Sequence, residues 1–411
     1  MSTTRTFSAM LNEYLPTSLL FDELKKRNWA LNNIEQDDSW LGGTLIVPFL
    51  GAVGSSVTFG SLAASNDIAE EIAVRGQVAS YKEVWGSLIF NETDLLQHGK
   101  LSEQNFLKII PDAIERHIGY LSGVVSQNLL TGEFVAKLTA DGDASGNITV
   151  AQPDRFQIGM KVSVDDDNSS PATGYVKTIN LNSGVINVVT ARGGATSVDL
   201  STYTTAQNAK VYNDGQQSNG FDSLPNQLLS NANGGAANQL GVAKTSYPFL
   251  QAINVSGSAV TAANILTKIF DAYVDIRRLG GGKPFKVVMS YKNYGSCLKQ
   301  LETAKGAFNV KPMSDSSKVY SWDSITVGGF AGTLELTAVQ EMDDDKIMFL
   351  DMSTIKFYTN GGMRRRKSPD GKEYFEIRNT TGFQYIVDNC MFGEVVVQEP
   401  KKNGIIYGIS Y

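Results

Sequence analysis

This sequence predicts an α+β fold, with helices and strands in separate runs rather than in strict alternation. Three observations carry that expectation. A single apolar stripe of helical spacing runs from Phe106 to Leu129. A stretch with no helical period, 133–214, follows it. Beyond that, two helical patterns give way to a succession of strands reaching Tyr411.

The chain is long enough for several cores. At roughly 100–200 residues per domain, 411 residues suggest two to four domains. With 42% apolar residues and a net charge of only −6, the composition excludes an intrinsically disordered chain. Two cysteines, Cys297 and Cys390, cannot staple a chain of this length and fit folding in a reducing, intracellular compartment. The opening stretch MSTTRTFSAMLNEYLP has no charged-then-apolar run, so no secretory leader is expected.

From the N-terminal side, residues 1–40 read as an arm carrying one helix, SLLFDELKKRNWALNNIE, with Thr17 as its cap. Leu41 to Asn66 contains no charge. Pro48, Gly51, Gly54 and Gly60 interrupt it, so it reads as strand, turn and strand (TLIVPFL, GAVGS, SVTFGSL) and not as a membrane span. The segment AEEIAVRGQVASYKEVWGSLIFNE alternates loosely, as a long extended loop does.

The long helix comes next. Phe106, Ile110, Ile114, Ile118, Leu121, Val125 and Leu129 form one stripe, about 35 Å long at 1.5 Å per residue. Ser102 marks its start and Gly132 its stop, while Pro111 marks a kink or the true first turn. In 133–214 the runs GNITVA, QIGMKVSVD, TGYVKTINLN, GVINVVTA and NAKVYN are separated by Asp-Gly and Ser-Gly turns. Five or six short strands at that spacing predict a small barrel or sandwich inserted between α/β segments. In the remainder, a Gly/Asn/Ser-rich loop precedes a helix over 261–279. The strand FKVVMS, a shorter helix YKNYGSCLKQLE and the strands SITVGG, GTLELTAV, KIMFLD, STIKFYT, EYFEIRNTTGFQYIVDN, GEVVVQE and GIIYGIS follow.

Catalytic chemistry is sparse. The two histidines, His98 and His117, and the two cysteines have no zinc-site spacing, and His117 reads as a polar residue flanking the helix stripe. There is no nucleophile elbow and no dinucleotide fingerprint. In Leu279-Gly280-Gly281-Gly282-Lys283-Pro284, a phosphate loop would need Gly where Arg277 stands and Ser or Thr where Pro284 stands, so this is a helix C-cap and turn. Asp141, Asp143 and Ser145 match the first half of a calcium loop, the sequence's candidate metal ligands. Position twelve is Gln152 instead of Glu, however, and an Asp/Gly hairpin is the better reading. The triplets Asp165–Asp167 and Asp343–Asp345 read as solvated loops. No cofactor and no enzymatic activity are expected. The basic cluster Arg364, Arg365, Arg366 and Lys367 is followed at once by Asp370, Glu373 and Glu376, which favours a contact between subunits or plain solvation over reading of DNA. Long extended segments with few local partners predict self-association.

The order of these parts resembles the major capsid (coat) proteins of tailed double-stranded-DNA bacteriophages, which have the Hong Kong 97-type fold. The resemblance implies an N-terminal arm at 1–40, an E-loop at 41–95 and a spine helix of the P-domain at 96–132. It implies further an inserted β-barrel or sandwich at 133–214, an A-domain at 215–340, and strands returning to the A- and P-domains at 341–411. It also implies pentamers and hexamers forming an icosahedral virion shell around double-stranded DNA, with folding and assembly in the bacterial host cytoplasm. The implied partners are other copies of the chain, a portal, scaffolding or decoration proteins, and DNA touched without sequence preference; no membrane is involved. On this reading Val47, Phe49, Val57 and Phe59, together with Arg364, Arg365 and Arg366, are the expected subunit-interface residues. Two competing readings are an encapsulin-like shell around cargo and another virion structural protein, such as a tail tube.

Overall fold

The computed structural model describes residues 19–40, 43–50, 73–78, 82–91, 103–132, 134–166, 170–284, 286–303, 324–329, 332–379 and 382–411. They belong to two compact units: Met1–Ser126 with Leu224–Tyr411, and Gln127–Ser223.

The first unit opens with two short helices where the sequence predicts one. Helix α1 (Leu20–Arg27) carries Asp22 and Glu23 in its first turn and Lys25, Lys26 and Arg27 in its last, the arrangement the helix dipole favours. Asn28 then breaks the helix with an extended backbone, and its side chain accepts from Leu31 N at 3.0 Å to cap α2 (Trp29–Asn33). The expected cap, Thr17, lies outside the described residues. Asn28 is fully buried and donates to the Ser122 carbonyl at 3.1 Å, so the break doubles as an anchor on the long helix.

Strands β1 (Glu35–Asp37), β2 (Leu45–Leu50), β3 (Ala73–Val78) and β4 (Lys82–Asn91) follow. β2 pairs antiparallel with β3, from Leu45 opposite Val78 to Leu50 opposite Ala73. The SVTFGSL strand expected beside β2 lies outside the described residues. Helix α3 (Glu103–Thr131) is 29 residues long. Its stripe residues Ile114, Ile118, Leu121, Val125 and Leu129 are buried, as their spacing predicts. Because the helix starts at Glu103, Pro111 falls inside it and not in its first turn.

In the second unit, β5 (Ala136–Ala140), β6 (Asn147–Val150), β7 (Lys161–Asp165), β8 (Ala172–Asn180), β9 (Val185–Val189) and β10 (Lys210–Asn213) close into a barrel in the order β10-β5-β6-β9-β8-β7. Its interior is filled by Ile148, Val162, Val164, Ile186 and Val211, the inward positions of alternating strands. At the Gly146 turn, φ is +75° and a Cβ would meet the Val188 carbonyl at 2.4 Å, so only glycine fits. Asp165 is buried and accepts from Gln217 Nε2; this corrects the solvated reading of that residue.

The first unit resumes with α4 (Leu224–Leu228), β11 (Asn238–Gln239), β12 (Val242–Ala243), β13 (Ile253–Ser256) and α5 (Ile265–Asp275). A π-helical turn (Ile276–Gly280) extends α5. Then come β14 (Lys286–Met289), α6 (Tyr291–Thr303), β15 (Ser324–Gly329), β16 (Gly332–Ala338), β17 (Lys346–Leu350), β18 (Ile355–Arg365), β19 (Phe375–Asn379), β20 (Gly382–Val397) and β21 (Gly404–Tyr407).

Two sheets organise this unit. The larger is mixed, in the order β13-β21-β17-β14-β16-β15, with β13–β21 and β14–β16 parallel. Ile265, Leu266, Ile269 and Tyr273 of α5 and Tyr294 and Cys297 of α6 pack on its Val287, Leu336, Ile347, Phe349 and Ile406. The other sheet is built around β20, a single 16-residue strand where the sequence suggests two. β18 and β19 pair with successive parts of it, β4 also pairs with it, and β1 adds parallel to β18.

Buried polar groups stitch these layers. Gln227 of α4 donates to the Val395 carbonyl at 2.7 Å and accepts from Val397 N at 2.9 Å, joining α4 to the end of β20. The buried Lys244 ammonium donates to the carbonyls of Asn226, Gln227 and Leu229 at 2.7–3.0 Å, satisfying the C-terminal end of that helix. Asp343 is also buried, paired with Lys346 at 3.0 Å, and is not the solvated loop residue the sequence suggests. Burial opposes the Lys346 charge, but Asp343 and Asp345 outweigh it and hold the ammonium above its ordinary range.

Candidate assembly surface

The β20 sheet has one covered and one open face, and the alternation of β4 shows why. Val84, Gly86, Leu88 and Phe90 turn one way, Glu83, Trp85, Ser87 and Ile89 the other. On the inner side Gly86 approaches α3 so closely that a Cβ would lie 2.5 Å from the Leu121 side chain. Phe90, Val387, Asn389, Met391, Met363 and Arg365 share that face and are buried.

The outer face is assembled from cross-strand rows. Ile89, Ile386 and Phe375 stand opposite one another across three strands, and Trp85 is opposite Cys390, which is opposite Arg364. Trp85 is 46% exposed, and Ile89 and Ile377 are each 47% exposed. Trp85 meets the Phe392 ring edge-on at 6.0 Å and donates to Glu83 at 2.8 Å. The Arg366 guanidinium lies 4.9 Å from the Phe375 ring centroid and 5.9 Å from that of Trp85. Asp388 accepts from Ser87 at 2.6 Å and stands 3.8 Å from Arg366. The result is an aromatic and aliphatic surface in which each charge has a local partner. Large exposed apolar groups gathered on one face mark a place where another molecule docks.

The residues singled out from sequence distribute unevenly over the structure. Val47 and Phe49 are enclosed by their own chain, in a cluster with Trp40, Leu45, Val78, Leu250, Tyr358 and Val396. The outward positions on β2 are Ile46, 52% exposed, and Pro48. Val57 and Phe59 lie outside the described residues, as does His98. The basic cluster splits three ways. Arg364, on the outer face, folds back on the Asn360 carbonyl at 2.6 Å; Arg365 is buried on Glu373 at 2.8 Å; Arg366 lies over the Phe375 ring of the open face.

Asp141 accepts from Thr205 N and Oγ1 at 2.7 and 2.9 Å, and Asp143 from Asn147 N and Nδ2 at 2.8 and 2.9 Å. These bonds hold both carboxyls below the usual range and use their oxygens to tie turns together. Among the described residues no three His, Cys, Asp or Glu side chains gather as metal ligands. At the glycine run, Gly281 has φ +67°, and Cβ atoms on Gly280 and Gly282 would lie 2.0 and 2.1 Å from the Lys401 and Lys402 carbonyls. Those glycines permit close backbone packing. Burial pushes the Cys297 thiol up to about 12 and, with Glu83 adding to burial, Cys390 up to about 11, so neither is a thiolate at neutral pH. No helix among the described residues is long and apolar enough to cross a membrane.

No protein-family profile matches this chain. No curated protein matches it in sequence either. Solved structures do. The capsid asymmetric unit of cyanophage A-1(L) is similar over 100% of this chain and 98% of its own, at a TM-score of 0.52 and 10% identity.

The chain has a phage-capsid fold.

The capsid of a native GTA particle is similar over 92% of this chain and 90% of its own, at a TM-score of 0.44 and 10% identity. The holo-SrpI encapsulin complex from Synechococcus elongatus PCC 7942 is similar over 93% and 87%, at 0.44 and 5%. The Trp85–Ile89–Phe375 face is an apolar surface that the described residues leave open. Sequence reading missed it because its residues come from three strands that pair only in the folded chain.

Proposed function

We propose that this chain is a major capsid protein. It self-assembles into pentamers and hexamers of an icosahedral phage shell around double-stranded DNA. The observation that carries this reading is the similarity in fold to the cyanophage capsid, which extends over the whole length of both chains. The open face of the β20 sheet supports it independently, because a subunit that acts alone has no use for exposed Trp85, Ile89 and Ile377. In capsid terms, residues 1–40 are the arm, 41–95 the E-loop, 96–132, with α3, the spine helix, and 133–214, within the Gln127–Ser223 unit, an insertion domain. The six-stranded sheet with α5 and α6 is the A-domain core. Each contact between subunits is modest, and closure of the lattice multiplies it. The net charge of −6 suits a wall that must release packaged phosphate backbone as well as contain it. Portal, scaffolding and decoration proteins complete the list of partners, and assembly takes place in the host cytoplasm.

Negative-stain microscopy of the purified chain, expressed with and without its neighbouring genes, tests the reading. Closed shells or capsomer-sized rings are expected. Monomers under every condition overturn it, and open cylinders would point to a tail tube. Nuclease-protected DNA inside the shells separates a virion from a cargo compartment, which would instead retain a protein.

A further inference from the structure

The hairpin β11–β12 joins its strands with a loop of two residues, Leu240 and Gly241, because Gln239 pairs with Val242. Both loop residues have positive φ, +47° and +82°, the pattern of the type I′ turn that suits such hairpins. Asn-Gly or Gly-Gly is the usual choice there, since a Cβ is penalised in the left-handed region. Gly241 follows that rule, and a Cβ on it would meet nothing within 4 Å. Leu240 breaks it, and what the position gains is a side chain.

That side chain lies on β3. Gly76, buried and opposite Val47 of β2, leaves the space for it. A Cβ on Gly76 would stand 2.9 Å from the Leu240 Cβ and 2.5 Å from the Phe49 ring. Leu240 packs against the cluster that holds Val47, Phe49 and Val78. Its carbonyl accepts from Gln77 N at 2.9 Å. On its other side the turn is tied to the body of the unit. Gln239 is fully buried and donates to Gln227 Oε1 at 2.8 Å and to the Val397 carbonyl at 3.4 Å. Gln227 is itself held on Val395 and Val397 of β20. The contacts thus run without a gap from the end of β20 through Gln227, Gln239 and Leu240 to β3.

We propose that Leu240 is a positioning residue, a knob on a strained turn that fixes the angle at which the β2–β3 hairpin leaves the body of the unit. An Asn-Gly turn would connect β11 to β12 equally well, without a leucine in the left-handed region. It would not fill the hollow at Gly76. β2 is seated on the body through Val47 and Phe49, against Trp40, Leu250, Tyr358 and Val396. Leu240 adds a hold on β3 that combines a side-chain contact with a hydrogen bond. With both strands held, the hairpin cannot tilt about β2. The hairpin falls within 41–95, so Leu240 also sets where that segment meets a neighbouring subunit, a consequence that rests on the capsid reading.

Hydrogen exchange of the full chain, read by mass spectrometry, tests the hold, and negative-stain microscopy tests its consequence. Leu240→Gly relieves the turn and removes the knob. A two-stranded hairpin is marginal in water on its own, so protection of 73–78 is expected to fall about tenfold while β17 keeps its own. Leu240→Met, of similar volume, is expected to retain that protection. Leu240→Ala keeps the strain without the knob and is expected to lose at least as much as Leu240→Gly. Unchanged protection of 73–78 in Leu240→Gly overturns the proposal. So does a loss shared equally by β17, which would make Leu240 an ordinary core residue. Where the wild type forms shells, Leu240→Gly is expected to give irregular or open assemblies, and regular shells from it overturn the positioning role. A wild type that forms no shells counts against the capsid reading instead, and exchange still decides the hold. Should Leu240→Gly not fold, the wild type in low denaturant decides: 73–78 and 238–243 are expected to lose protection together, and 73–78 opening alone overturns the hold.

Discussion

Two strands of the same unit, β17 and β4, show opposite uses of a β-ladder. All five residues of β17, Lys346 to Leu350, are buried, and α5 and α6 cover the face that carries Ile347 and Phe349. β4 is twice as long and alternates: its inner residues lie against α3, and every second residue is left in solvent. A strand buried on both sides spends its whole apolar content on the subunit's own stability. A strand covered on one side keeps half of its apolar content for whatever arrives next. The first unit is thus divided between a core that closes on itself and a face that stays open to solvent.

The difference can be broken at either end. Phe349→Ala in β17 empties a fully buried site in the helix-covered core; a loss of about 3–5 kcal/mol is expected, read as a lowered denaturation midpoint or insoluble protein. Asp343→Asn removes the nearer of the two carboxylates paired with the buried Lys346 ammonium. About 2 kcal/mol is expected, below the roughly 3–5 of a pair broken outright, measured by the same denaturation. Gly86→Ala forces a methyl group against Leu121 and should cost about 1–3 kcal/mol, with lost exchange protection concentrated in β4 and α3. The smallest effect on the subunit, within about 0.5 kcal/mol, belongs to Trp85→Glu with Ile89→Glu on the open face. That pair should nonetheless abolish large assemblies in sedimentation velocity. Normal shells from the double variant would show that this face is not where subunits meet.

Local periodicity made α3 readable residue by residue, since a stripe repeating every three or four positions has one physical interpretation. The strands of the barrel were legible for a similar reason, apart from β5, whose AKLTA carries little apolar signal. What escaped depends on pairing over long distances. Val47 and Phe49 read as a reach toward another subunit because their cover, Leu250, Tyr358 and Val396, is hundreds of residues away in sequence. Asp343 read as solvated because an acidic triplet does not announce that the next residue, Lys346, is buried with it. The apolar part of the open face escaped, since exposed and buried alternation look alike until one knows which side a helix covers; of that face only Arg364 and Arg366 stood out in the sequence.

The closed barrel has a consequence for crowding. A protein synthesised in many copies that join through sheets and extended segments risks joining in the wrong places, and the hazard lies in unpaired strand edges. The Gln127–Ser223 unit has none in its ladder, since every one of its six strands has two neighbours. It adds mass to each subunit without adding an adhesive rim. Strand addition, one way in which chains join by accident, is closed off in this ladder.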